Sequence, residues 1–114
     1  MTLIALALGS NLGDRQGNLQ TAIDCLSQGG VTITAVSSTW ETPPIPADQP
    51  RFLNIALAAE TDLEPAELLA LAKKIEVSEG RRPARYWGPR TCDIDVLFYG
   101  DQVISSPTLT VPHP

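Results

Sequence analysis

The chain has 114 residues, which is enough for one domain over residues 1–114 and too few for two. Hydrophobic residues make up 43% and charged residues 18%, which excludes disorder of the whole chain, and the longest apolar run, Leu3–Leu8, is too short for a membrane-spanning helix. The net charge of −5 argues against general binding of nucleic acid, and the presence of only two cysteines without a basic N-terminal segment favours the cytoplasm.

The first half of the chain alternates between short apolar or β-branched runs and turn-forming segments. Leu19, Ile23 and Leu26 recur at helical spacing, which predicts an amphipathic helix that ends at Gly29-Gly30. In chain order we expect a buried strand (Leu3–Leu8), a turn (Gly9–Asp14), that helix, a strand (Val31–Trp40), a proline-rich loop (Thr42–Pro50) and a strand (Phe52–Thr61).

The second half begins with another amphipathic helix, which stops near Gly80 and whose apolar face carries Leu68, Leu71, Ala72 and Ile75. An arginine-rich loop containing glycine and proline then runs to Thr91. The remaining expectations are a strand (Asp93–Tyr99), a turn (Gly100-Asp101), a short return strand (Gln102–Ser105) and an extended end.

The predicted order of elements is β-α-β-β-α-β followed by a C-terminal hairpin. Two helices against one face of a four-stranded antiparallel sheet form the ferredoxin-like, or split βαβ, arrangement of the α+β class. Because this fold supports many unrelated functions, it says little about the chemistry of the chain.

Two carboxylates, Asp93 and Asp95, stand two residues apart on the last long predicted strand. Side chains alternate along a strand, so both carboxylates are expected on one face, with Cα atoms about 6.6 Å apart. Ile94, Val96 and Phe98 are then expected in the core. Paired carboxylates repel one another unless a proton or cation lies between them, and Mg²⁺ uses such oxygen ligands together with phosphate. Taken alone, the pair is more often a solvated strand edge.

Four arginines, Arg81, Arg82, Arg85 and Arg90, lie just before that strand in a ten-residue window that contains no acidic residue. Arginine binds phosphate through paired planar donors, so an acidic pair after such a loop favours a metal–nucleotide site. A solvated basic loop is the alternative, although such loops usually mix their charges. The chain contains no P-loop motif.

Six segments together resemble the 6-hydroxymethyl-7,8-dihydropterin pyrophosphokinase family of folate biosynthesis. They occur in the family's order and cover the chain from end to end, and the segment WGPRTCDIDVLFYG is highly specific for the family. The segments are ALGSNLGDR, TWETPP, QPRFLN, IEVSEGRR, WGPRTCDIDVLFYG and LTVPHP.

The resemblance implies a ferredoxin-like enzyme, a hydroxymethyldihydropteridine diphosphokinase, that transfers pyrophosphate from ATP to the hydroxymethyl group of the pterin and releases AMP. It implies two Mg²⁺ ions held by Asp93 and Asp95, with Arg81 and Arg90 as catalytic contacts to the phosphates. The implied pterin pocket consists of Thr42, Pro43, Ile45, Phe52, Asn54 and Trp87. The implied ATP contacts are Lys73, Glu76, Arg81, Arg85, Arg90, Val96, Thr110 and His113, with Arg82 as the alternative to Arg85.

Family members continue for some tens of residues past the Pro-His motif, so the resemblance implies that this chain lacks a C-terminal segment with further phosphate and pterin contacts. A monomer is expected for the family, and self-association for a chain without that segment. Two alternatives stay open: a catalytically weak module that binds pterin or nucleotide, and an unrelated nucleotidyltransferase-like enzyme with the same paired carboxylates. No membrane or nucleic-acid partner is expected.

Overall fold

The computed structural model describes residues 1–42, 51–78, 92–106 and 109–113. Within these ranges it contains two helices and an antiparallel sheet, which confirms the α+β class. Its elements are β1 (Thr2–Ser10), α1 (Arg15–Gln28), β2 (Val31–Val36), β3 (Trp40–Thr42), β4 (Phe52–Thr61), α2 (Pro65–Ser78), β5 (Asp93–Tyr99), β6 (Ile104–Ser105) and β7 (Thr110–Val111).

The main sheet is built around β1. In the described ranges its strand order is β2–β4–β1–β5, β3 also pairs with β4, and each pairing is antiparallel. β1 lies against β4 along its whole length, from Thr2 opposite Thr61 to Ser10 opposite Leu53. On its other side, β1 pairs with β5. This central position agrees with the apolar run that predicted a buried strand.

The core lies between one face of this sheet and both helices. Along β1 the alternate residues Ile4, Leu6 and Leu8 are buried, and Leu6 lies opposite Leu57 of β4 and Val96 of β5. The helices contribute Leu19, Ala22, Leu26, Leu68, Ala72 and Ile75 to the same cluster. Burial of one leucine side chain is worth roughly 1.5–3 kcal/mol, so this layer is sufficient to hold both helices on one face.

Polar contacts at the N-terminal ends fix where each helix begins. The Asp14 carboxylate accepts a hydrogen bond from the Gly17 N–H at 3.1 Å and caps α1. At the start of α2, the Glu67 carboxylate accepts from the Glu64 N–H at 2.9 Å. Both predicted helices are confirmed. Neither of the helices in the described ranges is long and apolar enough to cross a membrane.

The strand predicted over Val31–Trp40 is divided into β2 and β3. β2 shifts register against β4 between Ile33 and Ala35, and pairing with β4 resumes at Trp40. Between the two strands, the Ser37 hydroxyl accepts from the Ala56 N–H at 2.9 Å. Serine hydroxyls compete with backbone groups for hydrogen bonds in this way, so the Ser-Ser-Thr segment interrupts the strand. The main sheet therefore has five strands in the described ranges, whereas four were predicted.

The prediction that Phe98 lies in the core is wrong. A register shift between Ala5 and Leu6 leaves one extra residue, Leu97, in β5, which reverses the alternation beyond it. Phe98 is therefore 41% exposed, and Tyr99 is buried instead, at 4%. The Tyr99 hydroxyl donates to the Leu63 carbonyl just before α2.

The C-terminal hairpin is present with different strands from those predicted. Residues Ile104–Ser105 pair with Thr110–Val111 and not with β5. The Leu97 carbonyl of β5 instead accepts from the His113 N–H at 2.8 Å. The backbone of His113 thus lies against β5, and the segment after the turn pairs with β7.

Candidate active site

The sheet face opposite the helices carries small residues at its centre and polar residues beside them. Gly9 of β1 lies opposite Asn54 of β4 on one side and Asp93 of β5 on the other. In the next row, Ala7 lies opposite Asp95. Since neighbouring strands are about 4.8 Å apart, the Cα atoms of Asn54 and Asp93 are separated by roughly 10 Å. The face therefore forms a shallow floor between an amide and two carboxylates.

Gly9 is needed at the centre of this floor. A Cβ atom at that position would lie 3.2 Å from Asn54 Oδ1 and 3.3 Å from Phe52 Cδ1. These separations are closer than ordinary van der Waals contact, so any side chain would displace one of the two neighbours. The same absence of a side chain lets a flat ligand approach the β1 backbone.

Asn54 is held in a fixed orientation by β3. Its Nδ2 donates to the Thr42 hydroxyl at 2.9 Å and to the Trp40 carbonyl at 3.3 Å. The amide oxygen consequently faces Gly9 and is placed to accept a hydrogen bond from a group above the floor. Thr42, Phe52 and Asn54, which were predicted as parts of one pocket, thus lie together in the structure.

Asp93 and Asp95 point to the same face, as their spacing predicted. They alternate with Ile94 and Val96, which are buried on the helix side. Partial burial, and then the neighbouring Asp93 carboxylate, raises the pKa of Asp95 above its ordinary value, while the nearby His113 lowers it. His113 Nε2 lies 3.8 Å from Asp95 Oδ1. Two partly buried carboxylates, one of which raises the pKa of the other, are a fitting place for a cation.

A pocket of about 250 Å³ lies beside β5, between α2 and the last residues described. It brings together five residues to which the family resemblance assigns nucleotide or metal binding, and three further residues, all apolar, lie among them. The lining consists of Leu69, Lys73, Ile94, Asp95, Val96, Leu109, Thr110 and His113. A second, more apolar pocket of about 440 Å³ adjoins it and shares Leu69, Lys73 and Leu109.

Lys73 and Glu76 occupy neighbouring positions of α2 but face different surroundings. Lys73 is exposed and lines both pockets. Glu76 is only 1% exposed, and its Oε2 accepts from the Ile94 N–H at 2.8 Å. Lys73 Nζ lies 3.5 Å from Glu76 Oε1. The described contacts of Glu76 therefore lie within the protein, whereas Lys73 reaches the pocket.

Gly9, Leu69 and Leu109 contribute to the site without having been predicted as functional residues. Gly9 was predicted to begin a turn, whereas in the structure it is part of β1. Leu69 and Leu109 gave no sign of a functional role in the sequence, because an apolar residue on a helix or in an extended tail is usually part of the core.

Several predicted residues lie outside the described ranges, namely Pro43, Ile45, Arg81, Arg82, Arg85, Trp87 and Arg90. Within those ranges, no group of three or more His, Cys, Asp and Glu side chains is arranged to hold a metal ion. Mg²⁺ often takes only one or two protein carboxylates and completes its coordination with phosphate and water. Asp93 and Asp95 fit that requirement.

The chain is similar over nearly its whole length to several known proteins. The chain is 47% identical over 111 residues to the 2-amino-4-hydroxy-6-hydroxymethyldihydropteridine pyrophosphokinase of Bacillus subtilis (strain 168), covering 96% of this chain and 66% of that protein. The Aquifex aeolicus (strain VF5) protein of the same name is 43% identical over 115 residues, covering 100% of this chain and 71% of the relative. The mitochondrial folate synthesis bifunctional protein of Pisum sativum is 48% identical over 111 residues, covering 96% of this chain and 22% of the relative.

The chain thus spans about two thirds of the length of these bacterial relatives and about a fifth of the plant protein. A family model described as 7,8-dihydro-6-hydroxymethylpterin-pyrophosphokinase (HPPK) matches residues 5–114. The match leaves out only the first four residues, and it agrees with the motifs on β1, β4 and β5 that form the site. The chain belongs to the 7,8-dihydro-6-hydroxymethylpterin-pyrophosphokinase family.

Proposed function

We propose that this chain transfers pyrophosphate from ATP to 6-hydroxymethyl-7,8-dihydropterin, giving AMP and the pterin diphosphate, in folate biosynthesis. The observation that carries the proposal is the row formed by Asn54, Gly9 and Asp93 across three strands. This row places a floor that suits a flat ring beside a pair of carboxylates that suits cations bound to phosphate. The names of the bacterial relatives support the same activity.

The floor over Gly9 is the proposed pterin site. Asn54 Oδ1 would accept a hydrogen bond from an N–H group of the ring, and Phe52 would pack beside it. The Thr42 hydroxyl holds the Asn54 amide in the required orientation. Pro43, Ile45 and Trp87 complete the proposed pocket on the strength of the family resemblance alone.

The pocket beside β5 is the proposed nucleotide site. Leu69, Val96 and Leu109 offer apolar contact to a base, and the Lys73 ammonium offers a positive charge to phosphate. Thr110 and His113 provide hydrogen-bonding groups on the opposite wall. Arg81, Arg90, and either Arg85 or Arg82 are proposed as further phosphate contacts from the family resemblance.

Asp93 and Asp95 are the proposed ligands of Mg²⁺, with two ions implied by the resemblance. Bound Mg²⁺ would neutralise charge on the ATP phosphates. The carboxylates are proposed as metal ligands and not as general bases, because transfer of phosphoryl groups depends on alignment and charge neutralisation.

The proposed reaction joins the two sites. The pterin hydroxymethyl oxygen attacks the β-phosphorus of ATP and loses its proton to water, the bond from that phosphorus to the oxygen it shares with the α-phosphate breaks, and AMP leaves with that oxygen. Because Asp93 lies beside Gly9 and Asp95 lines the nucleotide pocket, the carboxylate pair stands between the two proposed binding positions. This placement suits in-line transfer from one position to the other.

The finer fold assignment is also a proposal. The strand order β2–β4–β1–β5 with two helices on one face supports a ferredoxin-like arrangement to which β3 has been added. A monomeric state and a location in the cytoplasm stay predictions from the sequence.

The test is steady-state release of AMP from Mg-ATP, measured with and without hydroxymethyldihydropterin. We expect AMP only when the pterin is present. Binding of both ligands without AMP would indicate a binding module instead. AMP release that does not depend on the pterin would indicate a different nucleotide-cleaving enzyme, and either result would overturn the proposal.

A further inference from the structure

We infer that Glu76, for which the family resemblance implies a contact with ATP, is a positioning residue for the carboxylate pair that acts through the backbone between Asp93 and Asp95. The inference rests on the proposed function, because it assigns a role toward the proposed metal site. Among the described residues, Glu76 is the only acidic or basic side chain in the buried class. A charged group placed there calls for a specific partner.

That partner is the strand that carries the aspartates. Glu76 Oε2 accepts from the Ile94 N–H at 2.8 Å, and Ile94 separates Asp93 from Asp95. In the described part of the main sheet, β5 has a strand neighbour only in β1. Its other edge therefore needs partners from outside the sheet, and Glu76 provides one at the residue between the two carboxylates.

The Glu76 side chain also connects the two walls of the proposed nucleotide pocket. Lys73 Nζ lies 3.5 Å from Glu76 Oε1, and Lys73 and Asp95 both line the pocket. Glu76 thus joins α2, which carries Lys73, to β5, which carries Asp95. Loss of this link would let the wall with Asp95 shift relative to the wall with Lys73.

Placing a third carboxylate near the pair has an electrostatic cost. Glu76 contributes to raising the pKa of Asp95, after the larger effects of burial and Asp93, and Lys73 opposes that rise. A neutral acceptor would hold the Ile94 N–H without adding negative charge. The carboxylate nevertheless accepts more strongly than an amide oxygen, which favours a strand held rigidly at this point.

The role can be tested with Glu76→Gln, which keeps an oxygen acceptor, and Glu76→Leu, which removes it. The matched controls are Glu67→Gln and Glu67→Leu, because Glu67 also lies on α2 and accepts a backbone N–H, yet is exposed at the first turn. The readouts are binding of Mn²⁺ alone by electron paramagnetic resonance, hydrogen exchange of the Ile94 amide by NMR, and kcat and the KM for Mg²⁺.

For Glu76→Leu we expect Mn²⁺ binding at least fivefold weaker, Ile94 exchange at least tenfold faster, and a rise in the KM for Mg²⁺ larger than the fall in kcat. Glu76→Gln should restore Mn²⁺ binding to within twofold of wild type, and the Glu67 variants should leave every readout unchanged. Equal Mn²⁺ binding in Glu76→Leu and wild type would overturn the inference. So would a Glu76→Gln variant that is as impaired as Glu76→Leu.

If Glu76→Leu does not fold, the wild-type protein and Glu76→Gln still test the role of Glu76. Protection of the Ile94 amide in the wild type by less than tenfold relative to an unstructured peptide would overturn the inference, as would Mn²⁺ binding in Glu76→Gln weakened beyond twofold. Wild-type protein that binds Mn²⁺ through this arrangement but forms no AMP would count against the proposed function and leave the role of Glu76 standing.

Discussion

The two faces of the main sheet are made by the same strands and have opposite properties. On β1, Ile4, Leu6 and Leu8 face the helices and are buried, whereas Ala7 and Gly9 face the other way and form the floor of the candidate site. Bulky residues fill the first face, and small or polar residues leave room on the second. Adjacent residues of one strand therefore differ in role, because one packs in the core and the next faces the candidate site.

The largest expected effect concerns the open face. Asp95→Ala should reduce AMP formation at least about a thousandfold, equivalent to about 4 kcal/mol, because the proposed site loses one of its two carboxylates. The unfolding transition should be retained, since the side chain lies outside the core. Steady-state AMP formation and thermal unfolding measure the two effects. Asp101→Ala, an exposed aspartate in the turn after β5, is the control. Near-normal turnover by Asp95→Ala at ordinary Mg²⁺ would show that the assignment is wrong.

The next effect concerns the packed face. Leu6→Ala should lower the free energy of unfolding by about 2–5 kcal/mol, since Leu6 is fully buried and its loss leaves a cavity in the core. Leu3→Ala is the matched control, because Leu3 is on the same strand and 61% exposed, and it should cost less than about 1 kcal/mol. Denaturant unfolding of both variants makes the comparison. Equal losses would mean that the two positions do not differ in packing as described.

A smaller effect is expected when a side chain is added at Gly9, in the centre of the floor. Gly9→Ala places a methyl group against Asn54 and Phe52, so the KM for the pterin should rise about tenfold, or about 1.4 kcal/mol. The KM for ATP should change less than about twofold and acts as an internal control, because Gly9 is not among the described residues that line the proposed nucleotide pocket. An equal rise in both constants would place the damage in the fold and not in the pterin site.

The smallest effect is a pH dependence of stability. Folding raises the pKa of Asp95 above its ordinary 3.8, so its ionised form is disfavoured in the fold at neutral pH, and this penalty disappears as the pH falls through the raised pKa and then below 3.8. Asp95→Asn should therefore raise the Tm of the metal-free protein at pH 7, by no more than about 4 °C for a half-exposed group. The gain should vanish below pH 3.8. A lower Tm at pH 7 would contradict this sign.

Features that depend on local periodicity could be predicted from the sequence. The two-residue spacing of Asp93 and Asp95 was enough to put both on one face, because strand alternation needs no information from the rest of the chain. The spacing of Leu19, Ile23 and Leu26 likewise fixed the helix and its buried side. The grouping of Thr42 with Asn54 came from the family resemblance, since the residues are twelve positions apart and meet only through the pairing of β3 with β4.

Features that depend on pairing between distant segments could not be predicted. The extra residue Leu97 is visible only when β5 is aligned with β1, and because of it Tyr99 is buried in the core, where Phe98 was expected. The contact between Glu76 and Ile94 similarly depends on where α2 lies against β5. A glutamate in an amphipathic helix is usually exposed, so its burial carried no signal in the sequence.

The two contacts on the outer edge of β5 also bear on how the protein behaves at high concentration. An unprotected edge strand with a run such as IDVLFY is a template for strands of other molecules, and so a hazard for aggregation. Here Glu76 engages the Ile94 N–H, and the His113 N–H engages the Leu97 carbonyl. An incoming strand would have to displace both partners and approach two carboxylates. The contacts that surround the candidate site therefore also guard this edge against the growth of intermolecular sheets.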